Sequence, residues 1–361
     1  MSSLLYREDM DDVRARLTTW WNGGDLGRPA MQVTVPREKP LEKIPAMAKP
    51  EGWITDYSMS NFEYRVYLAR TAFSKKQLLG EASPAISPHV GAGSVAMYMG
   101  SRGEERPGTV WFHPCMESPE TGRFDYDEEN AAWQFTLRLS REMAALAKGK
   151  MLVELPDMIE GLDILASMRG TQELLTDLIE RPEWVHASLR QITDRYFRYY
   201  DMLYKIMRDE VGGSIYWAWA PNRVAKLQCD FSAMISPGMF KEFMIPVLKE
   251  MTSRLCYSLY HWDGPGAIPH HDALLALPDL DMIQWTPGAG VVETPDPRWW
   301  PLYHKTVDAG KKLFLHIPWS NSLESVRALR KEFGPKLKQF MIVTGAKSLE
   351  EGKQLMREVE V

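Results

Sequence analysis

The chain has 361 residues, 45% of them hydrophobic and 25% charged, with a formal net charge of −5. That length can bury a full core, and an acidic balance with no run of Lys/Arg among aromatics excludes a nucleic-acid surface. Cys115, Cys229 and Cys256 are isolated, which excludes a disulfide framework or a CxxC zinc finger and fits a reducing compartment.

The opening segment MSSLLYREDMDDVRARL is acidic and amphipathic rather than basic then apolar. No apolar run approaches the ~18 residues of a membrane span, so neither signal peptide nor span is expected and a cytoplasmic location is. The expected partner is a small molecule, and a homodimer is compatible with this reading.

Residues 5–21 predict a helix with Val13, Leu17 and Trp20/Trp21 on one side, stopped by Asn22-Gly23-Gly24. Residues 31–35 alternate as a strand closed by Pro36, and the prolines at 40, 45 and 50 make a loop. Helical spacing returns over 58–80 through Phe62, Tyr64, Val66 and Leu68. Residues 84–125 are irregular and rich in Gly and Pro, which predicts an elaborated insertion or a lid.

A helix over 128–147 leads to a strand over 151–157 that ends on Glu154 and Asp157. Helices follow at 161–169 and from 172 to about 210, the second with a break at Pro182, and then a strand at 214–219. The alternation now becomes regular, with helix 237–254, strand 256–262 and a helix near 270–277. Strand 281–286, helix 298–309, strand 312–317, helix 321–333, strand 338–343 and helix 348–358 complete the chain.

Strand–helix units at this spacing are parallel βαβ crossovers. With two or three strands upstream and no GxGxxG or GxxxxGK[ST] turn, a (β/α)8 TIM-type barrel fits better than an open doubly wound sheet. Residues 1–27 form its N-terminal helical extension.

The C-terminal strand ends of a barrel share one rim, so residues remote in sequence gather there. They are Glu154, Asp157, Trp217, Trp219, His261, Asp263, Trp285, His316 and Thr344, joined by Gln228, Cys229 and Asp230 from a loop. His261 and Asp263 alternate on one strand, point the same way, and with His316 could hold zinc with an open catalytic position. The plainer alternative has His261 donating to a backbone carbonyl and Asp263 capping the next turn. Glu154, Asp157, Asp230 and His261 are the acid–base candidates; Glu154 could equally be a ligand or a partner for Arg169. His270 and His271 read as a surface pair at a helix start. With 13 Trp in the chain, a flat apolar ligand surface is expected from Trp217, Trp219, Trp262, Trp285 and Tyr260, with Gln228 beside them.

The run Ser236-Pro237-Gly238-Met239-Phe240-Lys241-Glu242-Phe243-Met244-Ile245-Pro246 resembles the S-P-x-x-F-x-x-F-x-x-P helix of the uroporphyrinogen decarboxylase superfamily. The resemblance covers residues 150–361 well and the first 125 weakly, and implies one barrel domain over 1–361. Members include the decarboxylase and zinc-dependent methyltransferases that exchange methyl groups with corrinoids. The decarboxylase's arginine-rich signature is missing here, with Arg37 nearly alone, and a polycarboxylate needs several cations. The methyltransferases carry His-x-Cys where this chain has His261-Trp262-Asp263, and a later Cys where it has Val343-Thr344-Gly345. Replacing thiolate by carboxylate makes a harder, more Lewis-acidic site.

The resemblance therefore implies a methyltransferase acting on a small O- or N-methylated compound, aromatic ones included. The corrinoid acceptor would be carried by a partner protein, since no Asp-x-His-x-x-Gly signature is present. Two alternatives stand beside it. One is a decarboxylase or lyase of a small carboxylic acid held by Asp230, Asp263 and Arg223; the other is a non-catalytic corrinoid- or tetrapyrrole-binding accessory protein.

Overall fold

A computed structural model describes residues 3–360. Its strands are β1 (Ala30–Pro36), β2 (Lys76–Gly80), β3 (Ala85–Ile86), β4 (Arg102–Arg106), β5 (Thr109–His113), β6 (Leu152–Val153) and β7 (Ser214–Tyr216). They continue with β8 (Ala218–Ala220), β9 (Val224–Gln228), β10 (Tyr257–Asp263), β11 (Met282–Thr286), β12 (Lys312–His316) and β13 (Phe340–Gly345). The central sheet runs β2-β1-β13-β12-β11-β10-β9 and is parallel throughout except for the edge strand β2. Helices His271–Leu275, Trp300–Asp308, Ser322–Phe333 and Leu349–Glu358 follow β10 to β13 in turn, giving a mixed α/β protein whose strands open at one common end. Among the described residues no helix is long and apolar enough to cross a membrane.

The lower end, where the parallel strands begin, is closed by helix Met10–Trp21. Met10, Val13, Leu17, Trp20 and Trp21 recur at helical spacing and are all buried. The Trp20 indole donates to the Lys338 carbonyl (3.0 Å) and the Trp21 indole to the Trp219 carbonyl (2.9 Å). Beside them Glu81, fully buried, accepts from Arg16, Arg28 and the Met31 amide, so its charge is balanced.

Several expected elements are corrected. The first helix starts at Met10, not residue 5, and the helical reading of 58–80 splits into helix Phe62–Thr71 and strand β2. The expected strand 151–157 keeps only Leu152–Val153 before Pro156 turns the chain. Residues 214–219 are not one strand but the β7–β8 hairpin, turned at Trp217 with φ 56. Strand β9 was unforeseen, because Lys226 interrupts its apolar pattern; all five of its residues are buried. The segment 84–125 is more ordered than expected, holding β3, helix Ser94–Tyr98 and the β4–β5 hairpin.

Candidate functional site at the open strand ends

Alternation along β10 divides its residues between two faces. Tyr260 and Trp262 are buried, and the Trp262 indole stacks on His271 (4.2 Å between centroids) and donates to the Ala267 carbonyl (2.9 Å). On β11, paired in register, Trp285 contacts Trp262 (4.6 Å) and Trp299 (5.1 Å) in the same layer. These rings pack between sheet and helices. The expected aromatic slot is therefore corrected: Tyr260, Trp262 and Trp285 face away from His261, and Trp219 lies at the lower end, donating to Asp209 (2.7 Å).

The opposite face carries the polar cluster. Asp230, His261 and Asp263 each bring one ligand atom within 4.8 Å of the others. The expected triad is corrected in its third member: Asp230, from the end of β9, completes the group, while His316 stands alongside it. His316 keeps Trp217 (6.0 Å) and Phe314 (5.1 Å) against its ring, and burial and His261 both hold its pKa below the ordinary value.

The tautomer of His261 follows from Gln284. The Gln284 amide nitrogen donates to the Trp285 carbonyl (3.0 Å) and Thr286 Oγ1 (2.8 Å), so its oxygen is the atom facing His261 Nδ1. Nδ1 then carries the hydrogen, and the Nε2 lone pair points toward the carboxylates, 3.9 Å from Asp263 Oδ2. Burial, followed by the charge of Lys226, lowers the His261 pKa and favours that neutral form. The alternative reading of His261 donating to a backbone carbonyl is not what the structure holds. Asp263 Oδ1 is buried and has no hydrogen-bond partner among the described residues.

Asp230 is presented in part by residues the sequence did not single out, Glu160, Asp163 and Lys226. Asp163 accepts from the amides of Asp230 and Phe231 (2.8 Å each), and Glu160 accepts from the amide of Gln228 (2.9 Å). Gln228 Nε2 donates to Asp230 Oδ2 (3.2 Å), and Gln228 Oε1 accepts from Lys226, whose ammonium also pairs with Asp157 (2.6 Å). Burial pushes the Glu160 carboxyl well above its usual range and Asp163 up to about 7, the latter helped by the charge of Asp230. Ile159 has φ 57, a conformation costly for a β-branched residue, and together with Gly161 (φ 60) it turns the chain so that these acids meet β9. A lysine amid an apolar run and the acid pair Glu160-x-x-Asp163 opening a helix were the available signals.

Trp217 is the one expected aromatic in the cluster. Its amide donates to Glu154, its carbonyl accepts from Gln32 Nε2 (2.9 Å), and its ring lies against His261 and Phe314 (5.7 Å each). Burial, reinforced by Asp157, raises the Glu154 pKa to about 7. Arg169 pairs with Asp177 (2.9 Å), not with Glu154, and Arg223 pairs with Asp201 (2.6 Å) just before β9 begins, at the strand end opposite Asp230. His270 and His271 are buried, not a surface pair: they meet the Ser232 carbonyl and Thr306 Oγ1, each at 2.9 Å. Cys229 and Thr344 are buried at the ends of β9 and β13.

Compared with models of known protein families the chain matches none, and a comparison with curated proteins likewise finds no match.

Proposed function

We propose that the chain is a methyltransferase that moves a methyl group from a small O- or N-methylated compound to a corrinoid carried by a cytoplasmic partner protein. In this reading β1, β3, β6, the β7–β9 segment and β10 to β13 form the staves of a (β/α)8 barrel of uroporphyrinogen decarboxylase type. The parallel β3–β6 pair and the hydrogen bond from the Leu155 amide to the Ile215 carbonyl (3.1 Å) support that ring order.

The observation that carries the reading is the Asp230, His261 and Asp263 group, with an oriented imidazole lone pair beside the Trp217 ring. One nitrogen and two oxygens suit a divalent ion such as zinc, and the unpartnered Asp263 Oδ1 fits the same role. A metal held by these three side chains would supply Lewis acidity toward the departing oxygen or nitrogen.

The remaining chemistry falls to the chain. Gln284 fixes the His261 ring, while Glu160 and Asp163 fix the backbone that presents Asp230. Trp217, locked by Glu154 and Gln32, offers a flat apolar wall for a methylated or aromatic group. Glu154, poised near neutrality, is suited to deliver the proton that the leaving group needs. The test is transfer from a panel of methoxyarenes and methylamines to cob(I)alamin, followed by absorbance. At least one donor is expected to react; no transfer from any of them contradicts the reading.

A further inference from the structure

A second feature also reaches Glu154. A cleft of about 500 Å³ is lined by Arg65, Leu68, Ala72, Ile86, His89, Met143 and Glu154, with Asp56 on its rim. Its size is that of a small-molecule pocket. Arg65 is only 4% exposed, yet no carboxylate of the described residues lies within ion-pair distance. It donates instead to two neutral carbonyls, those of Ser58 (2.9 Å) and His89 (2.8 Å). Glu105, in electrostatic reach, is engaged by Ser58 Oγ (2.8 Å), and Asp56 is solvent-exposed.

A buried guanidinium with no carboxylate in contact is costly, and burial lowers its pKa to about 10 against the opposing, more distant charges of Asp56 and Glu105. The His89 ring, which contacts Tyr57 (4.6 Å), leaves Nδ1 buried and unpartnered. Burial also lowers the His89 pKa to about 4, so this nitrogen belongs to a neutral imidazole. One unpartnered ring nitrogen and a guanidinium held only by neutral carbonyls thus meet an apolar wall in one cleft, and Glu154, the carboxyl hydrogen-bonded to the Trp217 amide, also lines it.

We propose that this cleft binds a small organic carboxylate, with its anionic end on Arg65 and His89, its apolar body along Leu68, Ile86 and Met143, and its far end at Glu154. A guanidinium fork matches a carboxylate in shape and charge. A phosphate dianion is disfavoured, because only one cation lines the cleft and two acids flank it. That the ligand is the methyl donor, a methoxylated carboxylic acid, rests on the proposed methyl transfer; carboxylate binding does not.

Calorimetric titration of the full chain with 4-methoxybenzoate and its neutral isostere 4-methoxybenzamide tests the site. The carboxylate is expected to bind roughly tenfold tighter or better, as a charge-assisted pair implies. In Arg65→Gln that preference is expected to vanish. Equal affinities in the natural chain, or a preference that survives Arg65→Gln, overturn the proposal. Should the variant fail to fold, the His89 imidazole resonances of the natural chain decide: they shift on titration with the carboxylate if it binds here, and stay still if it does not. Carboxylate binding without methyl transfer keeps the site and rejects the reaction. Transfer from neutral methoxyarenes with no carboxylate preference does the reverse.

Discussion

The two ends of the parallel strands differ in how their buried polar groups are met. At the lower end Trp20, Trp21 and Trp219 each place an indole N–H on an acceptor, and Glu81 is ringed by Arg16, Arg28 and the Met31 amide. At the upper end Asp263 Oδ1 and His89 Nδ1 are buried without partners. Backbone strain is divided in the same way. Among the described residues the non-glycine positions with positive φ are Asn61, Ile159 and Trp217, all in segments that follow the C-terminal ends of strands. A folded chain tolerates unmet groups and strained dihedrals only where something else over-determines them, and such places are more often sites than accidents.

Substitutions at the two ends should therefore fail in different ways. Glu81→Gln takes the shared counter-ion from two partly buried arginines and is expected to cost about 3 kcal/mol in urea unfolding. Turnover per folded molecule should not change; a drop in turnover would break the division between ends. His261→Ala is expected to reverse the pattern, cutting methyl transfer by about a hundredfold, some 2.7 kcal/mol of barrier, with stability within about 1 kcal/mol. A large shift in its unfolding midpoint would make His261 a structural residue.

Trp217→Gly sharpens the comparison further. It relieves a left-handed conformation costing about 1–2 kcal/mol while deleting a partly buried ring, so stability should barely move and transfer should fall about tenfold. A further effect is in pH. Burial holds the His271 pKa at about 4 against an ordinary 6.5, so the folded chain favours its neutral form. Its contribution is present above pH 6.5 and lost as pH falls from there toward 4. Glu154 and Asp163, raised to about 7, act with the opposite sign, losing stability as pH rises from the ordinary carboxyl range toward 7. The difference between natural chain and His271→Gln isolates the histidine: urea midpoints of the two should converge as pH falls through that window, and parallel curves would contradict it.

The sequence was most legible where local pattern and fold agree. Strands β10 to β13 are short apolar runs bounded by glycine, proline or a helix start, and His261 and Asp263 end one of them as read. The same alternation that aligned His261 with Asp263 sends Tyr260 and Trp262 to the other face, so the error about the aromatic slot lay in applying the rule to only half a strand. Other misses came from groups whose partners are remote. Lys226 reads as a surface lysine until Asp157 and Gln228 are placed beside it, and Glu160 and Asp163 acquire a purpose only once β9 packs over their helix. Trp217 in a left-handed turn has no local signature, because Glu154 and Gln32 hold it from other elements.

Metal content measures the upper end most directly. Protein purified without chelator is expected to carry about one zinc per chain, to lose it in His261→Ala and Asp263→Ala, and to keep it in Trp219→Phe at the lower end. A metal-free natural protein that binds no added zinc, or zinc that persists in both ligand variants, would contradict the assignment of Asp230, His261 and Asp263 as its centre.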